Sequence, residues 1–391
     1  MPPAERLVVV GASLAGVTLV DTVRRHGFTG RLTLIGAEPR AAYNRPALSK
    51  GVLAGTDALS DIALPSLSCE VDEIVGVAAT ALDPVRREIV LADGDRIGYD
   101  KLAVTTGARA RRLSDLGAAD PGVRETTFRD VDDARDLARR LGPGSEVVIV
   151  GAGILGMELA SGCVRLGASV TLVDRQPPLR AQLGPLLADL LWAAAARHGV
   201  RFAHSPGGVR LRASDSGTPV VELADGRRFE GDIVLSAVGC VPEVEWLRSA
   251  GLAVDGGIAV DTRCRFTSDI VAAGDVAAFP TPLGPRRTPL WTNAFEQART
   301  AAAALLEGES APALVPSRTF WTEQFGMTVR VCGPLPMPGE PTVVAGTSSD
   351  GEVGDEGLLL RWPGHPGTAA AVNRRVPITR LRALTQPAPI T

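Results

Sequence analysis

Two glycine-rich hexads hold the residues in this sequence best suited to chemistry. Gly11-Ala-Ser13-Leu-Ala-Gly16 and Gly151-Ala-Gly153-Ile-Leu-Gly156 both approximate G-x-G-x-x-G. In such a turn the first glycine makes the tight bend from strand to helix, and the second lets the backbone approach a pyrophosphate. The third lets helix and strand pack closely, while the helix N-terminus offers free N–H groups to the anion. Each hexad is followed by an acid, Glu38 or Asp174, placed to accept hydrogen bonds from an adenosine ribose. The second hexad satisfies every term. The first carries Ser13 in place of the middle glycine, a small side chain that takes some room but adds a hydroxyl donor for phosphate. Two dinucleotides on one chain point to a flavin exchanging electrons with a nicotinamide.

The elements that must position these turns are legible as a repeat. "LVVVGASLAGVTLVDTVRRHGFTGRLTLIGAE" (7–38) and "VVIVGAGILGMELASGCVRLGASVTLVD" (147–174) share one plan. An apolar, β-branched run of the kind buried on both faces leads into the turn. A helix with apolar spacing, a glycine (Gly27 or Gly167) and a second β-branched strand ending at the acid complete each unit. These are two separate βαβ units, so the expected class is α/β.

Composition narrows the alternatives. A chain of 391 residues suits two or three domains, and 45% hydrophobic residues can fill their cores. A formal net charge of −3 gives no global attraction to nucleic acid or to a membrane surface. No apolar run reaches the ~18 residues of a membrane span. The segment "LVVVGASLAGVTLV" could pass for a signal-peptide core, but Asp21, Arg24 and Arg25 follow at helical spacing and the pattern recurs inside the chain, so a cytoplasmic protein is expected. The five cysteines (Cys69, Cys163, Cys240, Cys264, Cys332) are scattered, with no C-x-x-C and no metal-ligand spacing. No metal site is expected.

Further segments carry a family resemblance over essentially the whole chain. "AAYNRPALSKGVLAG" (41–55), "LAVTTGARARRL" (102–113), "IVAAGDVAAFP" (270–280), "LWTNAFEQARTAA" (290–302), "TFWTEQFGMTVRVCG" (319–333) and "AVNRR" (371–375) occur in order. Together the sequence resembles the FAD-dependent NAD(P)H:ferredoxin reductases of bacterial oxygenase systems, putidaredoxin-reductase-like members of the pyridine nucleotide-disulfide oxidoreductase fold. The resemblance implies two Rossmann-like domains, for FAD and NAD, plus a small α+β C-terminal domain. It places FAD on 1–110 and 238–315, the nicotinamide nucleotide on 111–237 and the C-terminal domain on 316–391.

It also implies roles for individual residues. FAD would be held by Gly11, Ser13, Leu14, Ala15, Gly16 and Glu38, with Arg45, Lys50, Ala79, Thr106, Gly107, Arg129, Gly274, Asp275 and Trp291. Gly151, Gly153, Ile154, Leu155, Gly156, Glu158, Asp174 and Arg175 would serve the nicotinamide nucleotide, with Gly239 and Trp321 completing the cofactor-binding set. Lys50 and Glu158 form an ion pair beside the flavin in related enzymes and are the expected catalytic pair, Glu158 lying in the first turn of its helix. A carboxylate at Asp174 welcomes a ribose 2′-OH and repels a 2′-phosphate, which favours NADH over NADPH, although Arg175 beside it can pair with a phosphate.

The electron acceptor follows partly by exclusion. Similar disulfide reductases need a paired cysteine facing the flavin, and oxidase or peroxidase relatives use a single cysteine near residue 43; no cysteine lies in "AAYNRPALSK", so a dithiol route is closed. A one-electron carrier, a quinone or dye, and oxygen remain; a [2Fe–2S] ferredoxin is the leading expectation, on a monomer or homodimer. An NADH oxidase or quinone reductase, and a redox-sensing interaction flavoprotein, are the alternatives. Arginines cluster at 109, 111 and 112, at 286 and 287, and at 374, 375, 380 and 382, where they could steer an acidic partner. Departures from the family pattern are Ser13, Ala37, Glu243, Pro289 and the Pro- and Gly-rich stretch 333–357, whose strands are hard to pick out.

Overall fold

The structure is a computed structural model and describes residues 5–252, 256–336, 339–349, 351–364 and 366–386. The chain forms two compact units. The first takes Met1–Asn44, Leu59–Arg109 and Val241–Ser317; the second takes Arg45–Ala58, Ala110–Cys240 and Arg318–Thr391.

The first unit is built on a five-stranded, all-parallel sheet. Its order is Ile270–Ala272, Lys101–Val104, Arg6–Val10, Arg31–Gly36, Asp72–Val75. The run "LVVV" alternates between two covered faces. Leu7 and Val9 pack with Leu19, Val20 and Val23 of the helix Leu14–Arg25 and with Ala298, Ala301 and Ala302 of the helix Trp291–Glu307. Val8 and Val10 pack with Leu102, Val104 and Trp246 on the other face. Burial on both faces is why the strand reads as continuously apolar, and each large side chain so buried stabilises by ~1.5–3 kcal/mol. A three-stranded antiparallel sheet, Ala79–Asp83, Glu88–Leu91 and Arg96–Gly98, belongs to the same unit.

The second unit repeats the parallel plan with four strands, in the order Arg201–His204, Ser169–Asp174, Glu146–Val150, Ile233–Ser236. Its remaining sheets are antiparallel. One has three strands, Val209–Ala213, Pro219–Leu223 and Arg228–Glu230. The other has five, ordered Thr319–Gln324, Met327–Cys332, Thr368–Val372, Leu358–Trp362, Thr342–Ala345, and is followed by the helix Ile378–Leu384. The parallel sheets, the antiparallel sheets and the helices make the mixed α/β class read from the sequence. Among the described residues no helix is long and apolar enough to cross a membrane, and no three His, Cys, Asp or Glu side chains group as metal ligands.

Candidate active site

The two glycine turns are nearly superposable in what they demand. Gly11 has φ +115°, and a Cβ there would lie 2.2 Å from the Thr105 carbonyl oxygen. Gly151 has φ +106°, with the Ala237 carbonyl oxygen 2.3 Å from the same imagined atom. A Cβ on Gly16 or Gly156 would stand 1.9 Å from the carbonyl oxygen of Gly11 or Gly151 respectively, so helix and turn touch backbone to backbone. The middle position is different. Ser13 (φ −109°, ψ −165°) and Gly153 (φ −77°, ψ −171°) both have extended backbone that any residue adopts. A glycine there serves the room above the turn rather than the bend itself, and serine fits without strain. Neither helix has a side-chain cap on its N-terminus, which leaves the first N–H groups of Leu14–Arg25 and Ile154–Arg165 open to an anion. The cradles fit a dinucleotide pyrophosphate. Leu14 and Ile154 begin their helices, Ala15 is buried, and Leu155 is partly exposed.

The acids are tied down in different ways. In the first unit the Tyr43 hydroxyl donates to a Glu38 carboxylate oxygen at 2.7 Å. In the second, one Asp174 oxygen accepts from the backbone N–H of Ala152, inside the glycine turn, at 2.6 Å, and the other from Gln176 N–H at 3.1 Å. A cavity of about 340 Å³ opens beside Asp174, lined by Arg175, Gln176 and Pro206.

Several expected flavin residues gather in the first unit. Gly274, with φ +85°, lies over Ala15: a Cβ on it would meet the Ala15 methyl at 3.3 Å. The Gly274 N–H donates at 2.8 Å to the side chain of Gln297, which is almost wholly buried in the helix Trp291–Glu307 and so fixes the turn that carries Asp275. Sequence reasoning missed Gln297, although it closes the "WTNAFEQ" segment. Trp291 opens that helix and stacks on Phe295, ring centroids 6.3 Å apart and planes 8° from parallel. Pro289 is exposed just ahead of the helix. The Thr106 hydroxyl donates to the Glu243 carbonyl at 2.7 Å, and the Glu243 N–H donates to the Gly107 carbonyl at 3.1 Å. The backbone of Glu243 makes this link, which explains why its side chain can differ from the family pattern. Ala79 begins the first strand of the small antiparallel sheet.

The remaining residues belong to the second unit. An Arg45 guanidinium N–H donates to the Arg129 carbonyl at 3.3 Å. The Arg129 N–H donates at 2.7 Å to Asp133, whose carboxyl is pushed up by burial and by Asp130 beside it. Gly239 has φ +104°, and its carbonyl accepts from the Arg111 N–H at 3.0 Å. Trp321 lies in the strand Thr319–Gln324, opposite Arg330.

The densest cluster is built around Glu158. Its carboxylate, 5% exposed, takes Lys50 Nζ at 2.8 Å and the Ser49 hydroxyl at 2.6 Å on one oxygen, and the Thr322 hydroxyl at 2.7 Å on the other. Lys50 also donates to the Pro46 carbonyl at 3.0 Å. It sits in the π-helical turn Leu48–Val52 with φ −114° and ψ −105°, outside the helical region. The helix starts at Ile154, so Glu158 opens its second turn rather than lying in the first as the sequence suggested; the first turn holds no acid. Ser49 and Thr322 went unnoticed in the sequence. Thr322, one residue after Trp321 on a half-covered strand, points the opposite way and is fully buried.

The thiols offer no dithiol: all five cysteines are unbridged, and Cys163, Cys264 and Cys332 are buried. The arginine clusters are partly spent inside the fold. Arg109 faces Glu243 and Glu245 at 3.8 and 3.9 Å, and Arg374 faces Glu356 at 3.7 Å. Among the described residues, exposed Arg286, Arg375, Arg380 and Arg382 carry no ion pair.

Known proteins agree with this architecture. A family model described as pyridine nucleotide-disulphide oxidoreductase matches residues 5–298. The chain belongs to that family of oxidoreductases. Among its relatives, the biphenyl dioxygenase system ferredoxin–NAD(+) reductase component of Paraburkholderia xenovorans is 35% identical over 376 residues, covering 94% of this chain and 90% of that protein. A rubredoxin–NAD(+) reductase of Pseudomonas putida is 32% identical, covering 84% of this chain and 86% of its own. The reductase in the crystal structure of the covalent putidaredoxin reductase–putidaredoxin complex matches with a TM-score of 0.82 at 25% identity, over 98% of this chain and 93% of that one.

Proposed function

We propose that this chain is an FAD-dependent reductase that takes hydride from NADH and passes electrons singly to a [2Fe–2S] ferredoxin serving an oxygenase. The observation that carries the reading is the pair of pyrophosphate cradles, each closed by an acid, on two units of one chain. When bound, the two cofactors supply hydride transfer from nicotinamide to flavin and the release of electrons one at a time.

The chain's own residues then bind, orient and hold charge. The turn 11–16 and Glu38 hold FAD, with Arg45, Ala79, Thr106, Gly107, Arg129, Gly274, Asp275 and Trp291 completing its site. The turn 151–156 and Asp174 hold NADH, with Gly239 and Trp321 adjoining the cofactors. Lys50 keeps a fixed positive charge for the reacting flavin, and Glu158 fixes Lys50 by their 2.8 Å ion pair while positioning the carboxamide. The layout 1–110 with 238–315 for FAD, 111–237 for NADH and 316–391 as C-terminal domain is part of the same proposal, as are a cytoplasmic location and a monomer or homodimer.

The ferredoxin and NAD(+) named for its relatives support this reading; the rubredoxin named for another makes the acceptor the part to test first. An anaerobic NADH titration of the purified protein is expected to bleach a yellow flavin with one equivalent, after which added ferredoxin restores the colour. Rapid turnover with oxygen alone would instead favour an oxidase. A long-lived coloured complex that turns over poorly would favour a redox sensor.

A further inference from the structure

We infer that the nicotinamide site also accepts a 2′-phosphorylated adenosine, with Arg175 as the counter-ion of that phosphate, so that the enzyme uses NADPH as well as NADH. The inference rests on the nucleotide reading of the 151–156 turn.

A carboxylate at the end of this strand rejects a 2′-phosphate when its charge faces the ribose. Here both oxygens are engaged by backbone N–H groups, Ala152 at 2.6 Å and Gln176 at 3.1 Å. One oxygen faces the glycine loop and the other the turn that follows the strand, and two peptide dipoles partly balance the charge. Each oxygen keeps a second lone pair, so a ribose hydroxyl can still donate to it. NADH is therefore retained while the repulsion toward phosphate is weakened.

Arg175 supplies the attraction. It is exposed, has no carboxylate partner among the described residues, and lines the cavity of about 340 Å³ together with Asp174, Gln176 and Pro206. Its backbone is anchored on both sides. The Asp174 carbonyl accepts from Ser205 N–H at 2.8 Å, and the Arg175 carbonyl lies 3.0 Å from His204 Nε2. The guanidinium thus leaves a fixed base at the rim of the cavity. A planar, permanently charged fork suits a phosphate monoester in two-point contact, and the Gln176 amide adds neutral donors from the same wall.

The test separates this claim from the reading beneath it. With excess FAD present, the full-length protein is titrated calorimetrically with adenosine 2′,5′-bisphosphate and with 5′-AMP at low ionic strength. The bisphosphate is expected to bind about tenfold more tightly, with the advantage shrinking as salt is raised. Arg175→Ala should bring the ratio of the two affinities to one or below, and Arg175→Lys should restore part of it. A wild-type protein that binds 5′-AMP more tightly, or an Arg175→Ala variant with an unchanged ratio, would overturn the assignment while leaving the nucleotide site in place. Binding of neither probe would overturn the nucleotide site itself, and the inference with it.

Discussion

The two glycine turns are alike where backbone meets backbone and unlike everywhere else. Gly11 and Gly16 repeat Gly151 and Gly156 to within a few tenths of an ångström in the clashes a side chain would cause. The differences begin at the middle position, Ser13 against Gly153, where extended backbone makes no conformational demand. They grow at the acids, one held by a tyrosine hydroxyl and the other by its own loop. They are greatest two residues past the third glycine. There the first helix has Thr18, whose carbonyl merely accepts from Thr22, while the second has Glu158 with three donors around it. The shared geometry is what binding a pyrophosphate requires. The buried carboxylate is an addition that binding does not require, which is why the second turn is the one assigned a part in chemistry.

The largest effects should come from the shared glycines, and they should be separable. Gly11→Ala puts a methyl on a carbonyl at a φ of +115°, combining overpacking and backbone strain worth about 3 kcal/mol or more. The expected product is a colourless protein that still binds 5′-AMP in the second unit. Gly151→Ala should do the reverse, keeping a yellow flavin that NADH no longer bleaches. If either variant loses both nucleotides, the two turns are not independent cradles. Glu158→Ala comes next. It leaves Lys50, whose side chain is only 16% exposed, without its carboxylate, and stability should drop by about 3–5 kcal/mol in urea titrations. The milder Glu158→Gln keeps an acceptor for Thr322, so kcat/KM for NADH should fall about a hundredfold with the flavin still bound. An equal loss in a Thr18→Val variant would erase the distinction between the helices.

What the sequence disclosed follows the same division. Turns and acids were legible because their demands are local: a glycine that must bend, a strand that must end at a carboxylate. The partners that close each site were not. Thr322 reaches Glu158 across 164 positions and Ser49 across 109, and only the folded sheet and turn bring them together. Glu158, expected in the first turn of its helix, opens the second, because no capping side chain marks where the helix Ile154–Arg165 begins. The strands within 333–357 were hidden for another reason. Thr342–Ala345 is an edge strand with Val343 and Val344 exposed at 54% and 42%, and a bulge between Val343 and Ala345 breaks the alternation that would announce it.

Ser13→Gly sharpens the comparison at its mildest point. The backbone at Ser13 is already extended, so glycine relieves no strain, and the change should cost at most about 1 kcal/mol through added freedom of the unfolded chain. FAD affinity should stay within about threefold by fluorescence titration. A large gain in affinity would mean the serine crowds the pyrophosphate, and a large loss would mean its hydroxyl is a true phosphate ligand.

The smallest effect is expected from two of the buried thiols, Cys264 in the first unit and Cys163 in the second. Burial pushes Cys163, on the helix Ile154–Arg165, up to about 12, and raises Cys264 in the first unit still further, with Asp261 adding to the shift. At pH 8 a thiol with a pKa of about 12 is ionised to roughly one part in ten thousand. Iodoacetamide should therefore leave both unmodified in the folded protein while labelling partly exposed Cys69 or Cys240. The sign for stability follows from the same shift. Below the ordinary thiol value of 9.0 both states carry the proton and nothing changes. Above it the unfolded chain ionises first, so each buried thiol lowers stability by about 1.4 kcal/mol per pH unit until its folded value is reached. Urea midpoints measured at pH 8 and pH 10 should diverge less in Cys163→Ala than in the wild type. An equal divergence, or rapid labelling of Cys163 at pH 8, would mean the second unit opens around its nucleotide helix and exposes a thiol that the electron path could use.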